Sequence, residues 1–546
     1  MNAAELLVSC LKNEGVEIVF GLPGEETLAL TDALLDSGIR FISTRHEQGA
    51  AFMADVCGRL TGRAGVCLAT LGPGATNLVT GVADANLDRA PLVAITGQAG
   101  RDRIHKESHQ YVDIVDLFRP ITKWNTRIEV GRVIPEAVRK AFKVAQVEKP
   151  GACHLELPED VADEHVEPHW APLSTERPRR PSPDRPALRR AAELIDRAKA
   201  PLVFAGNGVI RGGASRALRE FSKRTGIPVV NTFMAKGCVP WDYELSLGTI
   251  GLQARDYVSC GFDRADLIIA TGYDPVEYAP KLWNPDRDKT IVHLDFTPAE
   301  VDANYQPAVE VVADVREALD LLTELVASRR DPARSRALHE WILSELEDGS
   351  TDTVFPMKPQ RVIHDIRKAL APEDILISDV GAHKLWIARL YQALAPNTVI
   401  ISNGYAAMGI ALPGALAAKL IHPERRVLAV SGDGGFLMNC QELETAVRFD
   451  LPVVVLIFRD GGYGVIRWKQ MSRYGRESGV VFGNPDFVKL AESFGCRGLR
   501  VEAADELIPA LEEAFRGRGP CVVDVPVDYR ENLKLTERMG HLVCPV

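Results

Sequence analysis

Two aspartates, Asp433 and Asp460, carry the strongest chemical signal in this chain of 546 residues. Asp433 sits in Gly432-Asp433-Gly434-Gly435-Phe436, and Asp460 in Arg459-Asp460-Gly461-Gly462-Tyr463-Gly464. The apolar runs 426–431 and 452–458 predict strands, and 437–449, with Leu443, Ala446 and Val447 at helical spacing, predicts a helix. Strand, helix and strand make a crossover, so the strands are expected to be parallel. Both aspartates then reach one carboxyl edge of a sheet, where α/β folds bind ligands. Two carboxylates and a nearby backbone carbonyl suit a hard cation such as Mg²⁺, which completes its octahedron with phosphate oxygens. The glycines admit a close backbone approach, and a helix start favours phosphate charge. Alone, Gly-Asp-Gly is usually just a tight turn; a second acidic turn one crossover later favours the cation site.

A second group lies far away in sequence. Thr44-Arg45-His46-Glu47 ends a predicted strand and opens an Ala-rich helix over 48–60. A Glu there points into the crevice at a sheet edge, although an exposed helix-start Glu would also suit the helix dipole. Gly21-Leu22-Pro23-Gly24 lies upstream, and Leu71-Gly72-Pro73-Gly74-Ala75-Thr76-Asn77 downstream.

The elements that must position these residues are short apolar strands alternating with helices. In the first unit the strands are expected at 16–20, 39–43, 65–70 and 91–96, with helices at 27–36, 48–60 and 75–88. A second unit has strands at 202–205, 267–270 and 291–294, and a third at 375–378, 427–431, 453–458 and 521–525. An Arg- and Pro-rich stretch, 172–183, reads as a solvated linker between the first two. The expected architecture is α/β, three doubly wound parallel-sheet domains at 1–168, 188–342 and 358–530, with a tail over 531–546.

Composition narrows the class. Hydrophobic residues make up 46% and charged residues 25%, as in ordinary globular proteins. A net charge of −10 argues against a nucleic-acid partner. No run is long and apolar enough to suggest a membrane span, and the N-terminus reads as a helix rather than a signal peptide. The 10 cysteines lack Cys-x-x-Cys spacing, and Cys57, Cys67, Cys440 and Cys521 are expected to be core or helix residues in a reducing cytoplasm.

Together these segments resemble the thiamine-diphosphate-dependent enzymes along nearly the whole chain, and most closely the catabolic, FAD-independent acetolactate synthases. In that family a motif opens with Gly-Asp-Gly and closes with Asn-Asn or a variant; here the closing pair is Arg459-Asp460, which adds one negative charge. The resemblance implies thiamine diphosphate held through Mg²⁺, with Asp433, Asp460 and the Gly462 carbonyl as metal ligands. It places the diphosphate against Gly432, Gly434, Gly435, Tyr463 and Gly464, and against Gly381 and His383 of Val380-Gly381-Ala382-His383. It makes Glu47 the carboxylate that switches the cofactor on, with Pro23, Gly24, Thr70 and Asn77 near the pyrimidine. In Asn403-Gly404-Tyr405-Ala406-Ala407-Met408-Gly409, Ala406 would offer a carbonyl and Met408 would prop the cofactor's V shape. Gln110 would face substrate.

Gly272-Tyr273-Asp274-Pro275-Val276-Glu277-Tyr278 departs from the Phe-Asp-Asp-Arg-type segment of FAD-binding relatives, so FAD is not expected. Gly206-Asn207-Gly208 lacks the full dinucleotide fingerprint and reads as a turn. The implied reaction is condensation of two pyruvate molecules to 2-acetolactate with release of CO₂. In the family Glu47 and Asp433 meet at one cofactor from different subunits, so a homodimer at least, and a homotetramer by resemblance, is implied. Tyr405 and Arg467-Trp468-Lys469 depart from the family pattern, which leaves other acceptors open: a sulfoacetaldehyde-type acyl transfer, an acyloin synthesis or simple decarboxylation.

Overall fold

In the computed structural model, which describes residues 1–167, 169–176, 178–251 and 257–532, each of the three predicted units is a six-stranded sheet. Pro168 at the first expected boundary, and the tail beyond Asn532 with Cys544, lie outside the described residues. Every strand pairing in the three sheets is parallel. Parallel sheets carry helices on both faces, so their inner strands read as unbroken apolar runs. Gly65–Ala69, Leu267–Thr271 and Ile375–Ser378 are accordingly buried at every residue.

The first and third sheets share one topology. Counted by chain order within each domain, their strands lie 2-1-3-4-6-5, whereas the central sheet runs 6-5-4-1-2-3. In the third sheet Val427–Gly432 pairs with Val454–Arg459 in register, Gly432 opposite Phe458. Asp433 and Asp460 therefore emerge within a residue or two of each other at the same edge. The connecting helix corrects the sequence expectation. It starts at Asp433 itself, breaks after Asn439 and resumes as Glu442–Arg448. Asp433 accepts the Gly434 N–H at 2.8 Å at the start of this helix, which runs on through two glycines. At the break, Gln441 donates to the Asn439 side chain at 3.0 Å, leaving the chain free to turn.

Helix Glu47–Thr61 is the keystone between the first and third domains. It packs on Pro73–Leu87 of its own domain and on Ala411–Ile421 of the third. Small residues make this possible: a Cβ on Gly81 would lie 2.5 Å from Ala51, and one on Gly414 would lie 2.8 Å from Val56. One hydrophobic core consequently runs through both domains, from Phe20 and Phe52 to Ile377 and Leu416.

Near the end of this helix Arg59 meets three carboxylates. It lies 2.6 Å from Asp55, 3.1 Å from Asp84 and 2.8 Å from Asp88, all buried. Burial, with Asp88 and Asp55 adjacent, pushes the Asp84 carboxyl well above its usual range. The cluster also grips the third domain. Arg59 donates to Ile401 O at 3.1 Å, Ser402 Oγ to Asp84 at 2.6 Å, and the N–H of Asn403 to Asp88 at 3.0 Å.

Replacing Arg59 with Met leaves these carboxylates without their buried cation. The expected loss is about 3–5 kcal/mol, read as a lower urea midpoint. Asp84, whose proton affinity burial has raised, needs no counter-charge once protonated, so the loss shrinks as the pH is lowered. Equal midpoints for variant and wild type at high pH would refute the lock.

Candidate functional site

The carboxyl edge of the third sheet opens into a cavity of about 850 Å³. The third domain supplies most of its lining, the central domain adds Phe233 and Gly251, and no lining residue comes from 1–167. The predicted residues Gly381, His383, Ala406, Met408, Gly432, Asp433, Gly434, Gly435, Asp460, Gly462, Tyr463 and Gly464 all line it.

Asp433 is nearly fully buried. Its Oδ2 accepts the N–H of Asp460 at 3.1 Å and of Gly461 at 2.7 Å, and the Asn484 side-chain amide at 2.7 Å. Burial, with Asp433 as neighbour, pushes the Asp460 carboxyl up to about 7. A buried carboxylate whose proton affinity is raised by a neighbouring carboxylate is what a divalent cation relieves. Among the described residues no group of three or more His, Cys, Asp or Glu side chains could hold a metal. A cation here would thus draw on the two aspartates, a backbone oxygen and its ligand's own oxygens, as suits Mg²⁺. The Gly462 carbonyl accepts the Gly464 N–H at 3.1 Å and lies on the loop bridged to Val481.

The surrounding glycines are required by space. A Cβ at Gly434 would come within 2.9 Å of Tyr463, and one at Gly435 within 3.1 Å of the Asp379 carboxylate. His383 opposite is 2% exposed, and its Nε2 has no partner. Burial holds this imidazole neutral, with its pKa down at about 3. The Asn484 Oδ1 and the Tyr529 hydroxyl are likewise buried and unpartnered. Buried polar atoms without partners are rare in native proteins and mark places for an unseen ligand or water.

The loop carrying Ala406 and Met408 is anchored at both ends. Lys384 donates to Ser402 O at 3.0 Å and to Asn403 Oδ1 at 3.2 Å, and burial lowers this lysine to about 8. Asp379 accepts the N–H of Gly409 at 2.8 Å and the Ser431 hydroxyl at 2.9 Å, so it ties this loop to the strand before Asp433. Ala406 holds a φ of 58°, a left-handed conformation that only a well-braced loop imposes on a residue with a Cβ.

The first domain gathers a separate half-site. Glu47 is 5% exposed, and Asn77 donates to its Oε2 at 2.9 Å. A Cβ on Gly74 would meet Glu47 Oε1 at 3.3 Å, and one on Gly24 would meet Thr70 at 2.4 Å. Thr70 donates to Glu26 at 2.7 Å. Pro23 is exposed beside them. Gln110 is also exposed, with φ 58°, and its carbonyl lies 2.5 Å from where a Gly72 Cβ would stand. These residues do not reach the 850 Å³ cavity within one chain. Of the departing residues, Lys469 lines the cavity while Arg467 pairs with Glu477.

The braces of the site lie outside the motifs. Glu442, fully buried, accepts the N–H of Arg45 at 3.1 Å and of His46 at 3.0 Å, and so fixes the approach to Glu47 from the third domain. Asn439 donates to Gln48 at 3.1 Å and to Gly409 O at 2.9 Å. Asn484 arrives through the Gly462–Val481 bridge. No spacing pattern in the sequence singles out any of the three.

With this geometry in hand, the relationships of the chain are plain. It matches the family models described as "Thiamine pyrophosphate enzyme, N-terminal TPP binding domain" over 1–117, "central domain" over 188–322 and "C-terminal TPP binding domain" over 379–525. The chain belongs to the thiamine pyrophosphate enzyme family. It is 39% identical to "Acetolactate synthase" of Bacillus subtilis, over 99% of this chain and 96% of that protein. It is 38% identical to "Acetolactate synthase, catabolic" of Raoultella terrigena (99% and 97%), and 37% identical to "Probable acetolactate synthase large subunit" of Methanocaldococcus jannaschii (100% and 96%).

The residues present fit a diphosphate with its cation: a buried acidic pair, glycines where a Cβ would intrude, and a neutral histidine with a free ring nitrogen. A cation held by Asp460 would require that carboxylate ionised. Below about pH 7 its binding would displace a proton, so Mg²⁺ affinity would drop as pH falls. Titrating the metal-free protein with Mg²⁺ and thiamine diphosphate across this range is expected to show that fall. Asp460→Asn is expected to abolish the pH dependence while keeping an oxygen ligand; an unaltered profile in the variant would assign the proton elsewhere.

Proposed function

We propose that this chain condenses two pyruvate molecules to 2-acetolactate with release of CO₂. The observation that carries the reading is whole-length similarity: the relatives bearing the acetolactate synthase name align along all three domains, not the cofactor domains alone.

In this reading Asp433, Asp460 and the Gly462 carbonyl hold Mg²⁺, and the backbones of Gly432, Gly434, Gly435, Tyr463 and Gly464 face the diphosphate. Gly381 leaves room for His383 on the opposite side: a Cβ there would lie 2.7 Å from the imidazole. His383, kept neutral by burial, offers one ring N–H without adding charge. Thiamine diphosphate, when bound, supplies the carbon nucleophile and electron sink for cleaving a 2-oxo acid. Ala406 presents its carbonyl, Met408 fills the bend, and Glu47 holds a proton at the pyrimidine, oriented by Asn77. Pro23, Gly24 and Thr70 wall the pyrimidine, and Gln110 faces pyruvate. Because the cavity takes no lining from the domain of Glu47, a second copy of the chain supplies it, so the working unit is at least a homodimer; the tetramer rests on family resemblance alone.

The central domain works as scaffold, without FAD. Supporting this, the Gly206-Asn207-Gly208 turn is already engaged. The Asn207 N–H donates to Glu277 at 3.0 Å, and a Cβ on Gly208 would lie 2.6 Å from Gly272.

Pyruvate turnover with product analysis tests the reaction. Wild type is expected to release CO₂ and form 2-acetolactate, and Glu47→Gln to lose about 10²–10⁴-fold in kcat while still binding thiamine diphosphate. No CO₂ from pyruvate would overturn the assignment. The shared site has its own test. Glu47→Gln and Asp433→Ala chains, each inactive alone, are unfolded and refolded together. Mixed dimers contain one intact site, so roughly a quarter of wild-type activity is expected to return; none returning would mean that both residues serve one cavity from the same chain.

A further inference from the structure

Tyr529 lies beyond the last strand and outside the sequence motifs. Its position is nonetheless built. The Val527 N–H donates to Arg459 O at 3.0 Å and the Asp528 N–H to Met357 O at 2.9 Å. Asn532 closes the turn onto Tyr529 O at 2.9 Å, and its side chain accepts the Trp386 indole N–H at 2.7 Å. Trp386 belongs to helix Ala382–Leu390, which also carries His383. The segment is thus pinned to the helix and the strand that frame the cavity.

The ring lies against Gly464, 3.5 Å from where its Cβ would stand, and Tyr529 lines the cavity. Its hydroxyl is buried and has no partner. The charges of Asp460 and Asp433 act on it, yet neither carboxylate takes its proton in a hydrogen bond. A phenol stranded beside two carboxylates and an unpartnered histidine is a costly arrangement for packing alone, since Phe would fill the same space without the penalty. It is well suited to donate to an anion that arrives with a cation for the carboxylates.

We propose that Tyr529 is a cofactor-binding residue that donates its hydroxyl hydrogen bond to the diphosphate. This rests on the thiamine-diphosphate reading and adds to it a contact from the end of the chain. The His383 ring nitrogen and the Tyr529 hydroxyl then form a neutral donor pair, and the Mg²⁺ site supplies the positive charge.

The test is Tyr529→Phe in the full-length apoprotein, with affinities for thiamine diphosphate and for inorganic diphosphate measured by calorimetry in Mg²⁺. Both are expected to weaken by roughly tenfold or more, as for a hydrogen bond to a charged group. Thermal melting of the apo variant is expected at or above that of wild type, because the lost hydroxyl had no partner. Unchanged affinities in the variant would overturn the proposal. So would a drop in apo melting temperature, which would show the hydroxyl serving the fold. Wild type failing to bind thiamine diphosphate at all would instead sink the cofactor reading itself.

Discussion

Everything at this site depends on burying one helix on all sides. Glu47–Thr61 lies between two sheets because its sequence is nearly side-chain-free where the neighbours press: Gly49, Ala50, Ala51, Ala54 and Gly58 are all buried. A helix packed that tightly has no freedom to tilt, so its first residue, Glu47, is placed by the core rather than by a loop. Close packing also brings Arg59 to a spot where a cation must be matched. Two of the three aspartates that match it, Asp84 and Asp88, reach across to the loop before Met408. A buried charge cluster is a poor source of stability, because desolvation offsets much of the attraction. Its use here is directional: it sets the register of 402–404 against the first domain.

The cofactor end follows the opposite logic. Around Asp433 the protein leaves interactions incomplete. Asp460 has a raised proton affinity from burial and Asp433, and His383, Asn484 and Tyr529 each hold a buried polar atom without a partner. Such strain survives only where the surroundings over-determine the geometry. Asp379 does that on one side, joining Gly409 and Ser431, and the Gly462–Val481 bridge does it on the other. The hydrogen bonds of Asp379 and the Gly462–Val481 bridge, and the incomplete bonding of the cavity, are two halves of one preorganised site.

How much of this was legible in the sequence follows from which interactions are local. Asp433 and Asp460 could be placed because a single crossover, read from two apolar runs, puts them on one edge. The three-domain α/β architecture was equally readable, since buried parallel strands announce themselves as apolar runs. Two edge strands were not: Trp124–Arg127 and Arg497–Arg500 are polar and half-exposed, without a periodic signal, whereas the edge strand at 39–43 was read. Nor was the helix start at Asp433. Two glycines there favour a turn, yet the helix begins at Asp433, whose side chain takes up the Gly434 N–H. Glu442, Asn439 and Asn484 stayed hidden for one reason. Each acts on a partner far away in sequence, 396 positions in the case of Glu442 and His46, and spacing carries no information at that range.

The two half-sites of one chain are linked, and this bears on why they would not serve one cavity. Helix Asp433–Asn439 begins at the acidic pair and ends at Asn439, whose amide holds both Gln48, beside Glu47, and Gly409, beside Met408. A few residues on, Glu442 holds the backbone just before Glu47. The chain therefore spaces Glu47 from Asp433 by the length of its own helix, and the shared core keeps them apart. Bringing them together within one chain would mean breaking that core. The symmetric pairing of two chains proposed above would satisfy both demands at once, because each would contribute an acidic pair to one cavity and a glutamate to the other. In such a pair the Asn439 and Glu442 contacts would join the Asp433 of one cavity to the Glu47 of the next through a path of a few residues.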